Sequence, residues 1–158
     1  MKNTEQFESF AKEILDSEIF GQNKSYTQHG GISIYEHCHS VARLSFSMGE
    51  LFRVKDKKSL VRSALLHDFF LYDWHVPEKM WSLHGWTHPA AAAENGKKYF
   101  DINEKEYSMI RTHMWPYTLF HIPLHGEGWI ICIADKLVSA WETLFGRFFK
   151  KKKRAVSD

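Results

Sequence analysis

The chain has 158 residues, 44% apolar and 25% charged, which suits one soluble domain with a real core and leaves little room for a second. Its net charge of +2 is uneven: five of the 21 basic and one of the 19 acidic residues lie in 150–158, leaving 16 against 18 in residues 1–149 and no basic field that favours nucleic acid. The longest apolar run, residues 129–134, falls far short of the ~20 residues of a spanning helix, and the start MKNTEQFESF has no secretory pattern, so a cytoplasmic protein without a membrane span is expected.

Helical periodicity runs through most of the chain. Phe7, Phe10, Ala11, Ile14 and Leu15 form one face of a first helix, with Asn3 or Thr4 expected as its cap. A break at Gly21 and Gly30-Gly31 follows. Ser33 and Glu36 then have the spacing of a capping box, which predicts a helix through Val41, Leu44 and Met48 to about Leu51. Asp56 opens a third helix whose apolar face, Leu60, Val61, Ala64 and Leu65, ends in His67-Asp68-Phe69.

Residues 72–86 read as irregular and aromatic. Thr87 is expected to cap a fourth helix with Pro89 in its first turn, where a missing N–H costs nothing, and small residues at 90–93 permit close helix approach. Asn103 and Glu106 cap a fifth helix ending near His113. A loop with two prolines and two glycines leads to a last helix over residues 129–148. The fold class expected is all-α: a single compact helical bundle over residues 1–149, with a basic, disordered tail over 150–158.

Two cysteines, Cys38 and Cys132, form no metal-binding or disulfide spacing and are expected to be reduced and buried. The ten histidines lie between positions 29 and 125, which raises the expectation of a metal site. Six positions on or at the ends of the expected helices stand out: His37, His67, Asp68, His88, His113 and Asp135. Bundles build metal centres from inward-projecting side chains, and imidazole with carboxylate suits Fe, Mn, Co, Ni or Zn. His67 and Asp68 cannot share a face of a regular helix, but at a fraying end both can turn to one centre. Asp135 sits in an apolar stretch, where an unpaired carboxylate is costly; a metal would remove that cost. A simple helix terminus, with a cationic His113 complementing the dipole, is the competing reading at that position.

These residues, in the segments YEHCHSVA, SALLHDFF, THPAAAAE, IRTHMWP and IADKLVSAWE, resemble the HD superfamily of metal-dependent phosphohydrolases over roughly residues 33–143. The resemblance implies one or two divalent transition-metal ions held by His37, His67, Asp68, His88, His113 and Asp135. With two metals roughly 3.5–4 Å apart, Asp68 is the natural bridge and metal-bound water reaches a pKa near ~7.

The implied activity is hydrolysis of a phosphate monoester, diester or anhydride, with a nucleotide or related metabolite as substrate. Asp68, Asp73 and His84 are the catalytic candidates; His84 is placed outside the fourth helix. Leu71 stands where some binuclear members carry lysine, and the glycine-tyrosine-proline motif of cyclic-dinucleotide phosphodiesterases is absent. Symmetrical dinucleoside-tetraphosphate hydrolases are the nearer analogy. The alternatives are a catalytically silent metal- or nucleotide-binding module and, behind it, a di-iron oxygenase.

The remaining residues have plainer expectations. His39 belongs to solvent or core, His29, His75, His121 and His125 to loops, and Lys136 to the surface with phosphate contact as its alternative. Trp74, Trp81, Trp86 and Trp115 are read as packing, with ring stacking on a substrate as the alternative. Phe145, Phe148 and Phe149 read as packing or homodimer contacts in preference to an interfacial anchor.

Overall fold

The computed structural model describes residues 2–28, 31–73 and 84–154. Within them seven α-helices follow in order: α1 Lys2–Leu15, α2 Glu18–Gly21, α3 Ile34–Leu51, α4 Lys57–Leu66, α5 His84–Phe100, α6 Glu104–Thr112 and α7 Gly126–Arg154, with a 3-10 turn Gln22–Lys24 after α2. No strand occurs among the described residues; a single antiparallel bridge joins Thr27 to Ser33. The chain is all-helical, as its periodicity predicts.

α4 is the axis of the bundle. Every residue from Ser59 to Leu66 is buried, the mark of a helix enclosed on all sides. α1, α3, α5, α6 and α7 all contact it, while α3 also packs on α7 and α5 on α6. Phe7, Ala11 and Ile14 of α1 meet this core, with Phe10 and Leu15 at its edge. Both cysteines are free and buried.

Arg62, in the middle of α4, is the charge that this enclosure must satisfy. Its guanidinium donates to Glu106 Oε1 at 3.0 Å, to the Phe100 carbonyl at 2.7 Å, and to Glu13. One buried cation thereby ties α1, the end of α5 and α6 to the central helix.

The caps decide where the site residues fall. Ser33 and Glu36 form the full capping box of α3, and Asn103 and Glu106 that of α6. Asp56 caps α4 through the Ser59 N–H. α4 therefore ends with His67 as its C-cap, and α6 with His113.

Four boundaries differ from expectation. α1 starts at Lys2, so neither Asn3 nor Thr4 is its cap; Asn3 instead donates to Glu50 at 3.4 Å. The Gly21 break contains the short α2, with Phe20 fully buried. α7 starts at Gly126 and runs past 148, taking in residues 150–154 of the basic run. α5 starts at His84, not Thr87, so Pro89 lies inside the helix. Gly85 reads as a breaker in sequence, yet it is a packing position: a Cβ there would stand 2.6 Å from the Tyr117 ring.

Candidate metal centre

Six side chains converge where α3, the ends of α4 and α6, α5 and α7 meet. His37 comes from α3, His67 and Asp68 from the end of α4, His88 from α5, His113 from the end of α6 and Asp135 from α7. All six are buried. Three overlapping triads have ligand atoms within 4.8 Å of one another: His37–His67–Asp68, His67–His113–Asp135 and Asp68–His88–His113.

The two oxygens of Asp68 face different partners. Oδ2 lies 3.7 Å from His37 Nε2 and 3.6 Å from His67 Nε2. Oδ1 lies 3.2 Å from His88 Nε2 and 3.5 Å from His113 Nε2. Asp135 Oδ1 completes the first group, 3.3 Å from His37 Nε2 and 3.6 Å from His67 Nε2, and also accepts from the Ser139 hydroxyl at 3.2 Å.

The helix ends orient the rings. His67 Nδ1 meets the Ala64 carbonyl and His113 Nδ1 the Ile110 carbonyl, both at 2.8 Å. Carbonyls of a last helical turn lack intrahelical donors, so each accepts the Nδ1–H of the imidazole three residues on. His37 Nδ1 donates to Glu142 Oε2 at 2.8 Å. In all three rings the Nδ1 position is thus committed, and Nε2 turns to the common centre.

Electrostatics make that centre a trap for positive charge. Burial works to lower the His37 pKa, but the carboxylates of Asp135 and Glu142 beside it overcome this and lift it to about 10. Burial likewise opposes the rise at His67, where the Asp68 charge prevails. Asp68 and Asp135 are held well below the usual carboxylate range despite burial, Asp68 by the imidazoles of His67 and His88, Asp135 by those of His37 and His67. His113 falls to about 3, through burial and its imidazole neighbours. That direction favours the neutral imidazole of a metal ligand over a cation complementing the helix dipole.

The residues fit a metal on a direct test. His37 Nε2, His67 Nε2 and Asp68 Oδ1 are buried with no hydrogen-bond partner, and buried polar groups are rarely left so. His88 Nε2 and His113 Nε2 stand 3.1 Å apart. Two imidazole nitrogens sharing one ion at ~2.0–2.1 Å lie about 3 Å from each other. A cation in this cluster would satisfy every orphaned atom.

Two residues missed in the sequence touch this set. Gln28 Nε2 donates to Asp68 Oδ2 at 2.5 Å; it lies in an aperiodic loop and gave no signal. Glu142 did give one. It follows Asp135 by seven residues, two turns of helix, and so shares its face of α7.

The other candidates fall variously. Asp73 is exposed, five residues past Asp68. His84 is the first residue of α5, not a loop residue, which corrects its expected position; its side chain lies outside what is described. His29, His75, Trp74 and Trp81 lie outside the described residues. His39 is half-buried against the edge of Phe7, and burial, then Arg43, lowers its pKa. His121 is exposed in the α6–α7 loop, with His125 at its end. Trp115 packs on Trp129, and half-exposed Trp86 on Tyr117. Lys136 is partly exposed, its Nζ donating to the His113 carbonyl at 3.1 Å.

No protein-family model, curated protein or solved structure matches this chain. What stands is an all-helical chain with a buried His/Asp cluster that can hold metal and is compatible with an HD-type site.

Proposed function

We propose that this chain is a metal-dependent phosphohydrolase of the HD type, acting on a phosphate monoester, diester or anhydride of a nucleotide or related metabolite. The observation that supports it most is Asp68, whose two oxygens face two separate groups of imidazoles. A carboxylate so placed could hold an ion on each side. Bound divalent ions would supply Lewis acidity and activated water for attack on phosphorus.

The chain's own residues hold the parts in place. Gln28 fixes one oxygen of Asp68, and the Ala64 and Ile110 carbonyls fix His67 and His113. Lys136 Nζ, which donates to the His113 carbonyl at 3.1 Å, is the cation this reading assigns to a phosphate oxygen. For the proton donor to the leaving group, His84 and Asp73 remain the candidates. His84 lies one helical turn before His88 in the chain of α5.

The test is a phosphate-release screen over nucleotides, phosphate esters and anhydrides, with Mn, Fe, Co, Ni and Mg supplied separately and Asp68→Ala as the control. Release that needs metal and vanishes in the control supports the reading. Folded protein that binds no metal and releases no phosphate defeats it.

The second reading is a metal- or nucleotide-binding module without turnover. Leu71, where some binuclear members carry lysine, and the want of an assigned proton donor motivate it. Tight nucleotide binding without phosphate release would single it out.

A further inference from the structure

The helix that supplies Asp135 is apolar on more of its circumference than the bundle covers. Ile133, Leu137, Trp141, Leu144 and Phe145 of α7 are each between 40% and 65% exposed. At about 3.6 residues per turn they fall within roughly a third of the circumference, as one ridge beside the buried face. Trp141 and Phe145 touch, their ring centroids 4.4 Å apart. Leu137, Trp141 and Leu144 follow the four-three spacing with which a helix forms a seam along another helix, and Phe148 continues it in sequence.

A groove runs along this ridge. It holds about 900 Å³, with Ile32, Tyr35 and Leu44 on the side of α3 and Leu137, Val138 and Trp141 on the side of α7. A ridge beside a groove is self-complementary under a two-fold axis, since each copy's ridge can enter the other's groove. A flat bilayer would touch the ridge and leave the groove unfilled. The five ridge residues present roughly 600 Å² per copy, the top of the range for the largest apolar patch on a monomer. Two copies bring about 1,200 Å² before any groove lining is counted, which meets the lower bound of a specific interface.

Charge sets the direction. Residues 150–158 hold five basic residues and one acidic. Two parallel α7 helices would lay these runs side by side, where like charges repel; antiparallel helices carry them to opposite ends.

We infer that a second copy of this chain docks on the α3–α7 face, the two α7 helices antiparallel and crossing near Trp141. Glu142 lines the same groove while its Oε2 accepts from His37, so the partner closes solvent off from the carboxylate behind that imidazole.

Sedimentation velocity of the full chain, from low to high micromolar concentration, tests this. A dimer of twice 18.6 kDa is expected. Leu137→Glu with Leu144→Glu changes only exposed positions and should raise the dimer Kd at least ~100-fold, while circular dichroism and the melting point establish that the variant folds. Spin labels on Lys152→Cys should stand roughly 30 Å or more apart in the antiparallel pair, against roughly 15 Å in a parallel one; the two native cysteines are buried.

A wild-type chain that stays monomeric throughout, a dimer that the double variant leaves intact, or labels at the short distance overturns the inference. So does a monomer that floats with phosphatidylserine-containing vesicles and loses this in the double variant, which would give the ridge to a lipid surface. None of these measurements reads metal or phosphate release, so the inference stands or falls apart from the proposed activity.

Discussion

Gln28 reaches across forty residues of sequence to Asp68, its amide 2.5 Å from the Oδ2 that faces His37 and His67. The amide pins the carboxylate in rotation, so each oxygen keeps its own set of imidazoles. Gln28→Ala is expected to lower metal affinity 10–100-fold, as lost outer partners of ligands do. Competition against a chromogenic chelator measures this. Unchanged affinity would reduce Gln28 to a packing residue.

Asp68→Asn should do more. An amide cannot bridge two cations as a carboxylate does, so bound metal should fall from about two ions per chain to one or none, with phosphate release down at least ~100-fold. Elemental analysis and the release assay read the two separately. Retention of two ions would show that the bridge lies elsewhere.

Metal removal should soften the fold. An ion held at 100 times its Kd stabilises by about 2.7 kcal/mol, and for a chain of this size each kcal/mol moves Tm by ~2–4 °C. Excess chelator should therefore lower Tm by ~5–10 °C, and Mn²⁺ should restore it. A Tm indifferent to both would mean that the cluster is satisfied by protons alone.

Arg62→Met probes the scaffold away from the metal. It leaves Glu106, buried and hydrogen-bonded to the guanidinium at 3.0 Å, without its counter-charge. Breaking a buried pair from one side typically costs about 3–5 kcal/mol, visible as a lower urea midpoint. Replacing Glu106 by Gln as well should recover part of the loss. If the double variant is no better, packing rather than charge carries the effect.

Much of this architecture was legible in the residues. Ser33/Glu36 and Asn103/Glu106 place two helix starts because their chemistry is local: a side chain satisfies a backbone N–H three residues away. The same locality made the end of α4 readable, and with it the turn that aims His67 and Asp68 together. The six proposed ligands could be named because helix ends and apolar faces give them addresses.

What stayed hidden is what depends on tertiary company. Gln28 sits in a loop, where no period says which way a side chain turns. The start of α5 is hidden because Gly85 reads as a breaker, when Tyr117 is what favours a glycine there. Arg62 was a charge amid Leu60-Val61 and Ala64-Leu65, a sign of a buried pair, but its partners lie on α1, α5 and α6. Glu142 was visible as the heptad mate of Asp135. Its role needed His37 to be seen beside it.

The proposed ligands span residues 37 to 135, and the last of them lies on the final helix. An ion held by both ends of that set acts as a cross-link closing a loop of roughly 100 residues, the kind of closure that is entropically dear in an open chain. It could not form before α7 is made, because Asp135 and Glu142 follow every other member in the chain. Metal capture would therefore wait on α7, a seal on the helices that precede it, and a protein truncated before α7 would hold the four histidines and Asp68 without being able to close that seal.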